Sequence, residues 1–470
     1  MMHKAEFPGR ISYLLKTFSL TFLVLAVAVV NLPGCVSAAN TTDTSLSQAG
    51  REAAARNTAV GQKLSKDLRA RKPQTVYPLP TRKWVATWGA SPFAFLSFNN
   101  APPPAPYKDQ TVREIVRISV GGRLVRVRFS NEIGKTPLKI GAASIAVVDK
   151  GSAVKPGSLR KLTFGGVDSI TIPAGAPALS DPVDLPVKAL TELAISIYLP
   201  DTTPASTVHM GREAYVSSAG DFTRATELPA DAKKNTTMVF LTGVYVTAVK
   251  RTGVIVALGD SITDGTNSTP YTFHNWPQQL SQRLQAKRGR YQHLAVVNEG
   301  IAGNQLLRDG AGKSTLGRMD RDVFSTPGLQ YIIVLIGIND IGAGGMQFPG
   351  TKGPPPPNRT PAELIAGYQQ LIARAHSMSP PVKIYGATLT PFQGTFKGYY
   401  TPEKEPVRLA VNKWIRTSGA FDGVIDFDKV VQDPNNPMIF AKEYNSGDSL
   451  HPNDAGYHKM AESINLNLFK

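Results

Sequence analysis

Residues 253–265 read GVIVALGDSITDG. An apolar run without polar alternation enters a Gly-Asp-Ser turn, and the composition changes at once beyond it. Such a run reads as a strand buried on both faces. A polar turn after a strand is ordinary, so this stretch alone leaves the role of Ser261 open.

The rest of the C-terminal half gives the turn its context. After residue 251, apolar runs at 254–258, 294–298, 331–336, 383–389 and 423–427 alternate with helix-like segments at 276–287, 361–376 and 405–417, and 454–468 closes the chain. Alternation of this kind predicts an α/β fold, a parallel sheet covered by helices on both faces. Ligands of such sheets sit beyond the carboxyl ends of the strands. Three of the strands end there in polar, Gly-containing turns: GDSITDG, NEGIAGN and GINDIG.

A serine hydroxyl is a weak nucleophile and needs an adjacent base, usually an oriented histidine. It also needs hydrogen-bond donors aimed at the oxyanion that forms on a substrate carbonyl. The sequence offers a candidate for each task. Ser261 follows the first strand. Gly303 lies where a backbone N–H approaches a ligand without an intervening Cβ. Asn339 brings a side-chain amide to the end of the third strand. Near the C-terminus DSLHPNDAGY places Asp448 three residues before His451, a spacing that lets the carboxylate reach the far imidazole nitrogen and hold the tautomer of a general base. His209, His274, His293, His376 and His458 have no such partner in sequence, and Asp260, Asp264 and Asp340 read as turn-stabilising residues. DGAGKST at 309–315 is not a phosphate loop, because Leu307 stands where that motif needs glycine and no apolar strand precedes it. One cysteine and scattered histidines give no metal-ligand spacing, so no metal and no cofactor are expected.

The four blocks, in this order, resemble the SGNH, or GDSL, family of hydrolases over roughly the C-terminal half. The resemblance implies a three-layer, flavodoxin-like sheet and an esterase mechanism: Ser261 as nucleophile, His451 as base and acid, Asp448 orienting His451, and an oxyanion hole made by the N–H groups of Ser261 and Gly303 with the Asn339 amide. The turn reads Gly-Asp-Ser-Ile rather than the commoner Gly-Asp-Ser-Leu, an exchange of similar apolar volumes.

Upstream the period changes to two. In TVREIVRISVGGRLVRVRFSN (111–131), two alternating runs flank Gly121-Gly122, which predicts a β-hairpin with a two-residue turn. ELAISIYL (192–199) and shorter runs extend this into a β-sandwich-like domain over 84–250, ahead of a catalytic domain at 251–470. KWVATWGASP (83–92) and VIDFDKVVQDPNNP (424–437) are similar to a branch of secreted bacterial esterases described as arylesterases or carbohydrate acetylesterases. That resemblance implies a small-molecule or glycan ester as substrate, with short acyl groups favoured. The alternatives are a lipase or lysophospholipase acting on longer acyl chains, and a glycan-binding protein whose β-rich domain would use Trp84 and Trp88. The loop TPFQGTFKGYY (390–400) offers Phe392, Phe396, Tyr399 and Tyr400 as aromatic walls for a sugar or aryl ring.

Lys4, Arg10 and Lys16 precede an apolar stretch and small residues ending at Ala38, so residues 1–39 read as an export signal and the protein as periplasmic or extracellular. Residues 40–83 read as a polar linker. Cys35, the single cysteine, excludes an intramolecular disulfide. It stands in Leu-Pro-Gly-Cys, which resembles a lipoprotein box and leaves lipidation as the only expected membrane link. The net charge of +17 is spread over scattered basic residues with no aromatic-interleaved patch, so no nucleic acid is expected as partner.

Overall fold

The computed structural model describes residues 83–94, 105–248, 252–287, 289–347 and 353–470. The expected export signal, Cys35 and all but the last residue of the expected linker lie outside them.

The C-terminal half is built on five parallel strands: β1 (Gly253–Gly259), β2 (Leu294–Gly300), β3 (Leu329–Leu335), β4 (Lys383–Ala387) and β5 (Gly423–Ile425), in the order β2-β1-β3-β4-β5. Every residue of β1 and β2 is buried, as a strand without polar alternation requires. The helices are α1 (Ser261–Asp264), α2 (Trp276–Ala286), α3 (Thr315–Met319), α4 (Ile338–Gly342), α5 (Pro361–His376), α6 (Glu405–Thr417), α7 (Phe427–Val431) and α8 (Asp454–Ser463). Their starts are written in local chemistry. Asn275 caps α2 through the Gln278 N–H, and Thr360 and Glu363 form a reciprocal capping box on α5. Helix α2 packs on β2 and on α8, whereas α5 packs on β4 and on α3 and α6. The chain leaves β1 toward β2 and then crosses to β3 on the other side, so a crevice opens at the carboxyl end of β1.

Before this sheet the described residues form two large antiparallel sheets and a small two-stranded one, Leu138–Ile140 with Ile170–Ile172. Trp84–Gly89, Leu241–Thr247, Gly122–Ser130 and Val183–Val187 follow one another in the five-stranded sheet, and Val208–Ala219, Gln110–Arg117, Glu192–Leu199 and Ala142–Lys150 are neighbours in the seven-stranded one. The expected hairpin at Gly121-Gly122 does not form. Gln110–Arg117 pairs with Glu192–Leu199 and Val208–Ala219, while Gly122–Ser130 pairs in the other sheet with Leu241–Thr247 and Val183–Val187. The glycines serve close approach to the neighbouring strands of the five-stranded sheet rather than a tight turn. A Cβ on Gly121 would lie 2.2 Å from the Val187 carbonyl oxygen, and one on Gly122 2.8 Å from that of Thr247.

The β-rich and α/β parts share one continuous core within a single compact unit. Trp84–Gly89 packs on β2, and a Cβ on Gly89 would sit 2.4 Å from Glu299 Oε1. Trp88 is buried in that core, and the Arg126 guanidinium lies 4.3 Å over the ring of Trp84. Trp88 therefore offers no open face to a sugar, which corrects the expectation attached to it, and the Arg126 guanidinium takes one face of the partly buried Trp84.

Candidate active site

The turn after β1 places Ser261 at the first position of α1. Asp260 caps this single helical turn by accepting the Ile262 N–H at 3.0 Å, and Gly265 closes it in the left-handed region at φ 106°. A Cβ on Gly300 would lie 2.3 Å from the Asp264 nitrogen, so the glycine ending β2 lets α1 sit against that strand. Ser261 is only 6 % exposed.

The segment before α8 brings His451 to it. His451 Nε2 lies 2.8 Å from Ser261 Oγ, and its Nδ1 lies 2.6 Å from Asp448 Oδ2. Asp448 is itself held. Its Oδ1 accepts the N–H groups of Leu450 and His451 at 2.9 and 2.8 Å, and Asn267 Nδ2 donates to Oδ2 at 2.8 Å. Partial burial works against ionisation of Asp448, but the hydrogen bond and charge of His451 and the two backbone N–H groups outweigh it and hold the carboxyl well below its usual range. The group is therefore a fixed anion on the far imidazole nitrogen.

Gly303 is the third residue of a turn closed by the Asn304 N–H donating to the Ile301 carbonyl at 3.0 Å, with φ +77°. That position and sign of φ favour glycine. The turn is tied to the end of β1 by the Ile301 N–H on the Gly259 carbonyl at 3.1 Å. Asn339 lies on α4 and donates from Nδ2 to the Asn304 carbonyl at 2.9 Å, which brings it to the Gly303 turn. Asp340 fastens the same segment by accepting the N–H groups of Leu306 and Leu307 at 2.7 and 3.0 Å. The structure thus joins Ser261, His451 and Asp448 directly, and ties the Gly303 turn both to β1 and to Asn339.

The aromatic loop departs from expectation. Phe392 is fully buried and Tyr399 is 3 % exposed, so both are core residues rather than open walls for a substrate ring. Only Phe396, at 55 %, is broadly exposed, with Tyr400 half-buried. The folded loop buries its apolar rings against one another, Phe392 meeting Tyr399 and Tyr400 edge-on.

Several partners were invisible in sequence. Three histidines find a carboxylate distant in sequence through the fold, and His458 meets one a helical turn further on. His209 Nε2 stands 3.2 Å from Asp264, His274 pairs with Asp454, His376 with Asp422, and His458 with Glu462. The Asp264 contact matters most for the site. Arg212, from the β-rich part, donates to Asp264 Oδ1 at 2.8 Å and to its carbonyl at 3.1 Å, so an antiparallel sheet grips the turn that carries Ser261. Burial opposes the Asp264 charge, but Arg212 and His209 prevail and keep its pKa low. Asp260 has no such cation in contact, and burial pushes it up to about 7.

Arg318, fully buried, knits the strand ends together. It donates to the Gly259 carbonyl (2.9 Å), the Glu299 carbonyl (2.8 Å), Asn304 Oδ1 (3.0 Å), Ser91 Oγ (2.8 Å) and Asp322 (3.1 Å). Asp322 balances its charge, and the remaining donors meet neutral oxygens, so the guanidinium is satisfied despite burial. Nothing in GRMDRD marks that arginine as internal, because its partners come from four other segments. Among the described residues no group of His, Cys, Asp or Glu has a metal-binding arrangement.

The same region is matched by comparison with known families. Residues 257–459 fit the model of the GDSL-like lipase/acylhydrolase family. This part of the chain is similar to that family of ester hydrolases. The match runs from within β1 into α8 and contains Ser261, Gly303, Asn339, Asp448 and His451. Solved structures similar to this chain include a carbohydrate acetylesterase from Sinorhizobium meliloti (18 % identity, 45 % of this chain and 96 % of that one, TM-score 0.33). They also include an aryl esterase from M. smegmatis (16 %, 45 % and 95 %, TM-score 0.34) and a GDSL-like lipase from Bacteroides thetaiotaomicron (14 %, 47 % and 90 %, TM-score 0.34). The comparison with curated proteins returns no match.

Proposed function

We propose that the protein is an exported serine esterase that removes short acyl groups, acetyl above all, from a carbohydrate or aryl alcohol through an acyl-enzyme on Ser261. The observation that carries this reading is the relay from Asp448 through His451 to Ser261, closed at 2.6 and 2.8 Å. His451 Nε2 takes the proton as Ser261 Oγ bonds to the ester carbonyl carbon, and the anionic Asp448 stabilises the imidazolium that results. The N–H groups of Ser261 and Gly303 and the Asn339 amide receive the oxyanion. The tetrahedral species collapses, the C–O bond to the alcohol breaks, and His451 returns the proton to the leaving oxygen. Water, deprotonated by the same nitrogen, then frees the acid and regenerates Ser261.

The preference for short acyl groups rests on the sequence resemblance of residues 83–92 and 424–437, and export rests on the character of residues 1–39. The helices fit a three-layer arrangement: the connection from β1 to β2 runs across the sheet in one direction and those from β2 to β5 in the other, and right-handed crossovers put their helices on opposite faces. Turnover of p-nitrophenyl esters from acetyl to palmitoyl, beside acetate release from an acetylated polysaccharide, tests the reading. Rates should peak at acetyl and acetate should appear. A peak at long chains would assign the protein to lipids instead.

A further inference from the structure

We propose that Tyr399 is a positioning residue of the oxyanion hole, fixing which end of the Asn339 amide faces the reacting carbonyl. The proposal rests on the esterase reading and adds a residue outside the five that define it.

The hydroxyl of Tyr399 donates to Asn339 Oδ1 at 2.7 Å, while Asn339 Nδ2 donates to the Asn304 carbonyl at 2.9 Å. The two contacts define the amide's orientation. A flipped amide would set Oδ1 against the carbonyl oxygen of Asn304, two acceptors with no proton between them. In the observed orientation Nδ2 spends one N–H on Asn304 and keeps its second for an oxyanion. A donor on Oδ1 also withdraws charge from the amide and strengthens its N–H groups. Burial raises the Tyr399 pKa well above the phenol's ordinary value, so the donor stays protonated at any working pH.

The surroundings are built to hold this hydroxyl in place. The ring lies edge-on to Phe392 at 6.2 Å and tilted against Phe396 at 4.8 Å between centroids. Gly342, the last residue of α4, leaves room for it, since a Cβ there would lie 2.3–2.5 Å from three of its ring carbons. Lys404, 7 % exposed, donates from Nζ to the carbonyls of Gly342 and Gly398 at 2.7 Å and to that of Tyr399 at 3.3 Å. One buried ammonium therefore ties the helix that carries Asn339 to the loop that carries Tyr399.

The test is a double-mutant cycle on p-nitrophenyl acetate turnover, run well below the melting temperature of every variant. Asn339→Ala should lower kcat about 10²-fold or more, as loss of an oxyanion donor does. Tyr399→Phe keeps the ring and its packing and removes only the O–H; it should lower kcat about 10-fold with KM nearly unchanged, as expected for an interaction felt chiefly in the transition state. It should also weaken binding of a boronic acid that forms a tetrahedral adduct by the same factor. In the Asn339→Ala background Tyr399→Phe should cost nothing further. Full kcat in Tyr399→Phe beside a damaged Asn339→Ala, or losses that multiply in the double variant, would overturn the proposal and leave the esterase reading intact. Retention of activity by Ser261→Ala would instead overturn that reading.

Discussion

Replacing Arg212 by alanine tests whether the β-rich part is a working wall of the active site. Arg212 and Asp264 form a pair whose side chains are 15 % and 7 % exposed, 2.8 Å apart. Removing one partner of a buried pair costs ~3–5 kcal/mol, because the other charge stays desolvated and unpaired. His209 remains 3.2 Å from Asp264 and offsets part of that cost, which points to the lower end, ~3 kcal/mol. Unfolding entropy of ~2.1 cal/mol/K per residue over a compact unit of about 400 residues turns this into a fall in melting temperature of about 4 °C. The kinetic effect should be larger. Helix α1 is one turn long and cannot hold its own shape, so loosening Asp264 shifts Ser261 from His451, and a displacement near 1 Å costs about 10²-fold in kcat. Arg212→Met combined with Asp264→Asn removes both charges and keeps similar volumes; it should recover most of the stability and part of the turnover. Calorimetry and p-nitrophenyl acetate kinetics on the two single variants and the double decide it. A melting temperature and kcat unchanged in Arg212→Ala, or losses in the double variant equal to the sum of the singles, would refute the reasoning.

Three further outcomes follow from the geometry. In Asp448→Asn the amide oxygen is claimed by the N–H groups of Leu450 and His451, so the NH2 faces His451 Nδ1 and imposes the tautomer whose Nε2 cannot accept a proton; kcat should fall about 10³–10⁴-fold, while the melting temperature drops modestly with loss of the stabilised carboxylate. Gly303→Ala forces a side chain into φ +77° and sets its Cβ 3.0 Å from that of Ala311, so melting curves should show a loss of about 1–2 kcal/mol together with reduced kcat. Burial raises Glu114 from 4.5 to about 8. Between those values the folded chain holds a proton that the unfolded chain releases, so this group's contribution is full at low pH and lost as pH rises through 8. Melting temperature should therefore decline across that window, and less steeply in Glu114→Gln.

What could be read in advance follows from the range of each interaction. β1 was legible because a parallel strand buried on both faces needs an unbroken apolar run, and Asp448 with His451 because their pairing spans three residues. The bounds of α5 and α6 were legible because Pro361, the Thr360–Glu363 box and an apolar stripe are local signals. The supposed hairpin failed for a reason of the same kind: alternation fixes strands but not partners, and two strands joined by Gly-Gly went to different sheets. Arg212, Arg318 and Tyr399 were hidden because each acts through a contact 50 or more residues away, with Asp264, Gly259 and Asn339 respectively. The Phe392–Tyr400 cluster misled for a related reason, since aromatic composition does not say which rings the core will claim.

The most direct test of the account is to treat the purified protein with a fluorophosphonate, which is attacked only by an activated serine, and to locate the adduct by peptide mass spectrometry. The account predicts one phosphonyl group per chain, on Ser261, with ester hydrolysis lost in proportion to labelling and no adduct formed in Ser261→Ala. An adduct on another residue, or hydrolysis that survives complete labelling of Ser261, would contradict it.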